Sequence, residues 1–593
     1  MCVGVEAFGI EKEFLKDLLT QVDRGEAQLP EFQRGWVWPD RNIASLISSI
    51  SLGYPAGTVM MLKHGGEVRF KVRPVEGATA EAPPDRLILD GQQRLTSLYQ
   101  ALFRGKPVET QDVRGKAVRG WFYIDMRRAL LDEADREEAI VLVPDTKVRV
   151  DFRGQPVLDL STPEHEYRAQ MFPCTALFSP MEWMFGFVQH DPERHAESLA
   201  LWGRFQEKVV KRFDQYQMPV IELGRSTPRQ AVCQVFEKVN TGGVTLTVFE
   251  LLTATFAADN FDLREDWDRQ RGAWADSKYR LLSEVSNTDF LQAVTLLATH
   301  ERHRAAIEAG KDSSTARIGC RRVDMLNLGL EEYRKWAPAV TEGFKAAAQF
   351  LYGHHIFDTR FLPYGSQLIP LAAILALLGQ QAETAGARAK ITRWYWSGVF
   401  GELYGGTTET RFARDLPDML AWVTGPDADL PRTVVEAQFA ASRLQSLRTR
   451  GSAAYKGIYA LLLKEGPLDW ATGTDMSDEN YFDNAVDIHH IFPKAWCEKQ
   501  GIPAALYNSI ANKTPLTART NRLIGGRAPS AYLRSLSKTA QTPPEQVDRA
   551  VATHLIPTPD LHADDFHTAM RHREQALLDL ISAAMGKDIQ NDS

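Results

Sequence analysis

Asp487-Ile488-His489-His490-Ile491-Phe492-Pro493 sets two adjacent histidines behind an acidic residue and between apolar neighbours. The pattern predicts a strand stopped by Pro493. Neighbouring strand side chains point to opposite faces, so the two histidines have different work: one suits a cation, the other suits a water. Asn512 and Asn521 stand 22 and 31 residues beyond His490. Asn512 opens a returning segment, Lys513-Thr514-Pro515-Leu516-Thr517, and Asn521 falls in the helical start Ala518-Arg519-Thr520-Asn521-Arg522. A neutral imidazole, with an ordinary pKa of about 6.5, can take a proton near neutral pH. A hard cation shared by imidazole, amide oxygen and water can stabilise charge growing on a phosphate. Strand, turn, strand and helix with polar groups at both ends make a compact phosphodiester-cleaving unit.

The charge of this segment agrees. Asp487 to Lys538 carries a net +6 on a chain whose total is −7. A basic surface on an acidic protein suits a phosphate backbone, and Lys513, Arg519, Arg522 and Arg527 are the DNA-contact candidates. The segment resembles the HNH (ββα-metal) nucleases, in particular the domain that closes the GmrSD-like modification-dependent restriction enzymes. By that resemblance His490 is the general base, His489 is a metal ligand and Asn521 completes the metal site. Asn512 would brace the loop and orient the base. With asparagine at both later positions, magnesium or manganese is favoured over zinc.

A second motif is Arg86-Leu87-Ile88-Leu89-Asp90-Gly91-Gln92-Gln93-Arg94-Leu95-Thr96-Ser97. Leu87 to Leu89 predicts a buried strand, and Leu95, Leu98, Tyr99 and Leu102 predict a helix face. A glycine turn from strand to helix offers backbone N–H groups to an anion. Arg94 and Thr96 would add side-chain donors, and Asp90 could hold a metal or a ribose. Three stretches in order, Phe32-Gln33-Arg34-Gly35-Trp36-Val37-Trp38, Asp90 to Thr96, and Phe236 to Gly243 followed by Phe249-Glu250-Leu251-Leu252, resemble the amino-terminal domain of GmrSD-type proteins. That domain is similar to the ParB/sulfiredoxin fold. The resemblance implies binding or hydrolysis of a nucleotide (ATP, GTP or CTP) at Asp90, Gly91, Gln92, Gln93, Arg94 and Thr96, with Gln33, Arg34 and Asn240 as secondary candidates.

The elements that must position these groups need more than one core, since 593 residues exceed what a single domain packs. The expected fold is mixed α/β and α: residues 1–262 a ParB-like α/β sensor, 263–445 a helical middle, and 446–593 the ββα nuclease. A first helix is expected over Glu11 to Arg24, and a second from Asp40 through Ile43, Leu46, Ile47 and Ile50 to Gly53. Strands are expected at Thr58–Leu62, Val68–Arg73, Trp121–Asp125, Ala139–Val143 and Val220–Leu223, and a last helix over Asp565–Met585. Trp36 and Trp38, and the cluster Trp394, Tyr395, Trp396, Phe400 and Tyr404, read first as packing; the cluster's alternative is an aromatic cage for a modified base. Five scattered cysteines suggest no disulfide framework. The longest apolar run, Leu368 to Leu378, is about half a membrane span. The expectation is a soluble, cytoplasmic protein.

The function that the resemblance implies is cleavage of double-stranded DNA carrying modified cytosines (hydroxymethyl or glucosylated), metal-dependent and assisted by a nucleotide. It resembles the single-chain type IV restriction enzymes of BREX phage-defence islands. A homodimer is attractive because one such centre normally cuts one strand. Two alternatives remain: a nucleotide-triggered nickase that senses phosphorothioate DNA, and a nucleotide-switched DNA-binding protein whose nuclease unit is degenerate.

Overall fold

The computed structural model describes residues 9–589 apart from 34, 37, 67–68, 80–82, 113–114, 132–135, 152–153, 229–230, 233–234, 236–246, 313, 315, 450 and 477–486. It divides into two compact units, Met1–Leu263 and Arg264–Ser593.

The first unit is mixed α/β. Its strands are β1 (Gly9–Phe14), β2 (Ala27–Pro30), β3 (Val59–Lys63), β4 (Val72–Arg73), β5 (Arg86–Asp90), β6 (Val108–Gln111), β7 (Ala117–Asp125), β8 (Ile140–Pro144), β9 (Val148–Val150), β10 (Pro156–Asp159), β11 (Met171–Pro173) and β12 (Gln217–Leu223). Six of them form one sheet in the order β1-β12-β3-β5-β2-β4, and β11, β7, β6 and β8 form another. The pairs β12–β3 and β2–β5 are parallel, whereas β1–β12 and β3–β5 are antiparallel. Helix Leu15–Asp23 buries Leu15, Leu18, Leu19 and Val22, and helix Asp40–Ser51 buries Ile43, Leu46, Ile47 and Ile50. That i, i+3, i+4, i+7 spacing lays one stripe of each helix on the core.

Residues Glu11 to Phe14 depart from expectation. They form a strand paired with Val220 to Gln217 of β12, and the helix starts only at Leu15. Glu13 is held there by Arg86 at 2.7 Å, and Arg86 also meets Glu222 at 2.9 Å, so a partner some 200 residues away overrides local helical preference. Strand β4 is likewise shorter than Val68–Arg73.

In the second unit, helices Asn287–Glu308, Leu330–Gly353, Leu368–Leu378, Ala385–Phe400 and Glu409–Thr424 pack together. Trp394, Tyr395, Trp396, Phe400 and Tyr404 are 0–2% exposed, so the cluster is core packing, and no cage opens to a ligand. The Tyr404 hydroxyl donates to Asp415, which also accepts from Thr433 at 2.6 Å. Helix Phe566–Met585 packs against helix Ala385–Phe400 and against the segment that carries Asn512. Arg393 donates to the Met585 carbonyl at 3.1 Å, which ties its carboxyl end to the middle helices. Cys174, Cys320 and Cys497 are buried free thiols. Among the described residues no helix is long and apolar enough to cross a membrane.

Candidate functional site

The double-histidine segment is a strand, β13 (Asp487–His490), paired antiparallel with β14 (Lys513–Leu516). Helix Ala518–Ile524 follows directly, capped by Thr517, whose side chain accepts from the Thr520 N–H. His490 lies opposite Lys513 and His489 opposite Thr514, so each histidine shares a ribbon face with its partner and the two rings face apart. The ribbon stands on a packed base: Ile491, Phe492 and Leu516 are fully buried. Phe492 meets Phe566 with ring centroids 5.2 Å apart, and the Tyr532 hydroxyl donates to the Ile491 carbonyl at 3.0 Å.

His490 is half-buried, and its Nε2 lies 3.2 Å from Oδ1 of Asn508. Oδ1 can only accept, so Nε2 carries the proton and Nδ1 keeps its lone pair for another partner. Burial pushes the imidazole below its ordinary range, and Lys513 and Lys494 add to this while the Asn508 contact opposes it. The neutral ring is therefore favoured near pH 7.

Asn512 is fully buried. Its Oδ1 accepts from the Phe492 N–H at 2.8 Å, and its Nδ2 donates to the carbonyls of Phe492 (3.0 Å) and Tyr507 (2.9 Å). It locks the chain just after His490 to the turn that carries Asn508. Asn521 is half-buried on helix Ala518–Ile524, and among the described residues its side-chain amide makes no hydrogen bond. The Asp487 side chain lies outside the described residues.

Two site features were not legible from the motif. Asn508 is the first. The second is Asp469, which is fully buried. Its Oδ1 accepts from the Thr520 hydroxyl at 2.6 Å and from the N–H groups of Ala471 and Thr472, and its Oδ2 accepts from the Thr517 hydroxyl at 2.7 Å. Burial alone would raise its pKa; the bonds from Thr520 and Thr517 outweigh that and hold it below the usual carboxylate range. A carboxylate here also meets the positive end of the helix that carries Asn521.

The basic candidates divide. Arg519, Arg522 and Arg527 are exposed. Lys513 is 9% exposed, with Nζ donating to the Arg448 carbonyl at 2.7 Å and lying 5.3 Å from the Tyr455 ring centroid. It is placed as an internal brace, not as the surface contact expected of it, because its strand faces helix Ala453–Lys464.

His554 ties the ribbon to the Asp469 loop. Its Nε2 donates to the Leu468 carbonyl at 2.8 Å, and its Nδ1 accepts from the Thr514 hydroxyl at 2.7 Å. Burial pushes its pKa down to about 3; Arg573 lowers it further, and the Leu468 bond and Asp469 oppose this. The folded state therefore excludes a proton that the unfolded chain binds below about pH 6.5. Stability is complete above that pH and falls as the pH drops from about 6.5 towards 3, by up to about 1.4 kcal/mol per unit. His354, lowered to about 4 by burial, acts in the same direction. Urea unfolding between pH 7 and 4.5 should show this slope, and His554→Gln, which keeps a donor and an acceptor, should make it shallower. An unchanged slope would reject the assignment.

In the first unit, β5 ends at Asp90, Gly91 turns with φ 87°, and helix Gln92–Leu98 begins. A Cβ on Gly91 would lie 3.1 Å from Val59 Cγ2 and 3.3 Å from the Thr58 carbonyl oxygen, so both conformation and space require glycine. Arg94 donates to the Thr58 carbonyl at 2.6 Å and to Asp90 at 3.2 Å. Gln33 donates to the carbonyls of Ile88 and Leu89 at 2.8 and 3.1 Å, so it supports the strand end. Gln93 donates to the Gly35 carbonyl at 3.2 Å, and Gln92 is nearly buried. Thr96 is fully buried; its hydroxyl lies in the core face of the helix, away from the surface where a donor was expected. Arg34, and Asn240 with the rest of Phe236 to Gly243, lie outside the described residues.

Comparison with known proteins adds two findings. An uncharacterized protein of Methanocaldococcus jannaschii, MJ0686, is 25% identical over 571 residues, covering 91% of this chain and 89% of its own length. Residues 15–257 match the family model described as the GmrSD restriction endonuclease, N-terminal domain.

Proposed function

We propose that the chain is a metal-dependent DNA endonuclease of the restriction type, directed at DNA with modified cytosines and assisted by a nucleotide bound near Asp90 to Arg94. The observation that carries the reading is the strand–strand–helix unit with a neutral, oriented His490, on a chain whose amino-terminal residues match a restriction-enzyme domain.

In this reading His490 Nδ1 takes the proton of the attacking water. Asn508 fixes the tautomer, and Asn512 fixes the backbone that carries the ring. His489 and Asn521 would hold the metal. One imidazole and one amide oxygen suit a hard cation that keeps most of its waters better than they suit zinc. Such a cation supplies charge stabilisation at the phosphate. Arg519, Arg522 and Arg527 face solvent and would contact the DNA backbone, and Asp469 keeps Asn521's helix in place.

The test is cleavage of matched duplexes containing cytosine, hydroxymethylcytosine or glucosylated hydroxymethylcytosine, with and without nucleotide and magnesium or manganese. The expected result is strand loss only in a modified duplex and only with metal. Equal cutting of all three would remove the modification claim. Nucleotide-dependent binding with no cutting would favour a nucleotide-switched DNA-binding protein instead.

A further inference from the structure

The first unit holds a cavity of about 410 Å³ lined by Trp36 and Trp38 together with Glu109, Thr110, Gln111 and Arg119. Its size falls within the range of small-molecule pockets. Both indoles are half-buried, whereas Trp394 and Trp396 are sealed in the core. Trp36 and Trp38 are each tied to neighbouring elements. Thr110 donates to the Trp38 carbonyl, and Pro39 bridges to Gln111 on the edge strand β6. On the other side, the Trp36 N–H donates to Glu76 at 3.0 Å and its indole N–H donates to Ser97 at 3.0 Å. Ser97 belongs to the helix that opens at Gly91.

The rim is polar, charged and largely exposed. Glu109 and Arg119 are cross-strand partners, and the guanidinium is ion-paired at 3.6 Å with Glu109 and at 3.8 Å with Asp145, distances beyond a hydrogen bond that leave its N–H groups to other acceptors. Arg119 and Glu109 are 55% and 69% exposed. Indole faces accept a flat ring, and a rim with both donors and acceptors matches the edge of a heterocycle.

We propose that this cavity takes one extrahelical nucleobase of the bound DNA, stacked on Trp36 and Trp38, with its exocyclic groups facing Glu109, Gln111 and Arg119. Enzymes that inspect a base commonly draw it out of the duplex into such a pocket. The inference rests on the reading of the chain as a DNA-acting protein, and it locates the base sensor within residues 15–257.

The experiment uses the full chain with metal chelated, so that binding is read without cleavage. A duplex carrying one 5-iodocytosine is irradiated and the adduct is mapped by peptide mass spectrometry; attachment at Trp36 or Trp38 is the expected result. Affinity for hydroxymethylcytosine and glucosylated duplexes is measured in parallel. Trp38→Ala should weaken binding of modified duplex by roughly 5- to 150-fold, the loss of one stacking contact. Arg119→Ala, at an exposed position that does not threaten folding, should reduce the same preference. Retained binding with the adduct elsewhere, or an unaltered preference in Arg119→Ala, would overturn the pocket while leaving the DNA reading intact. Failure of the wild-type chain to bind any duplex would overturn both.

Discussion

His490→Ala is expected to lower DNA strand cleavage by about 10²- to 10⁴-fold, the usual contribution of a positioned general base, with DNA binding retained. The ring contributes one hydrogen bond, to Asn508, so the stability cost should stay near about 1 kcal/mol. That separation makes the test decisive. A variant that binds and melts like wild type yet does not cut has lost chemistry, not structure. Asn508→Ala should fall between the two, because it frees the tautomer without removing the base; Nε2 no longer has an acceptor to hold its proton. Cleavage by His490→Ala within about ten-fold of wild type would reject His490 as the base.

Asp469→Ala is expected to cost about 2–5 kcal/mol, because several buried neutral donors lose their acceptor at about 1–3 kcal/mol each. Deleting the carboxylate leaves the hydroxyls of Thr517 and Thr520 and the N–H groups of Ala471 and Thr472 without their acceptor. The amino end of helix Ala518–Ile524 loses its anchor, and Asn521 moves with it. Denaturant melting should therefore shift strongly, and cleavage should fall even under conditions where the variant remains folded. Asp469→Asn keeps one acceptor oxygen, either for the donors to Oδ1 or for the Thr517 hydroxyl, and should cost less. A midpoint within about 0.5 kcal/mol of wild type, the scale of an ordinary surface substitution, would show that the four donors find other partners.

Much of the local structure was legible. The stripe Ile43, Leu46, Ile47, Ile50 gives its helix, Asp90-Gly91 gives the strand-to-helix turn, and Ile488 to Pro493 gives a strand end, because each depends on side chains a few residues apart. Glu11 to Phe14 failed for the opposite reason: their conformation depends on β12, two hundred residues on. The basic candidates show the same division. Their charge is fixed by composition, but Lys513 turns inward because β14 packs on helix Ala453–Lys464, while Arg519 and Arg522 remain outside.

The sequence by itself determined the residue types that can do chemistry: the His489–His490 pair, the two asparagines, and the glycine turn after Asp90. Spacing along the chain is enough to recognise them, since strand alternation and helix periodicity are local rules. Only the tertiary structure decided how they are held. Asn508 reaches His490 from 18 residues away, Asp469 reaches Thr517 and Thr520 across about fifty, and Trp36 and Trp38, not the Trp394 cluster, face a cavity. Those outcomes depend on which surfaces pack together to bury apolar area, and no local pattern encodes that choice.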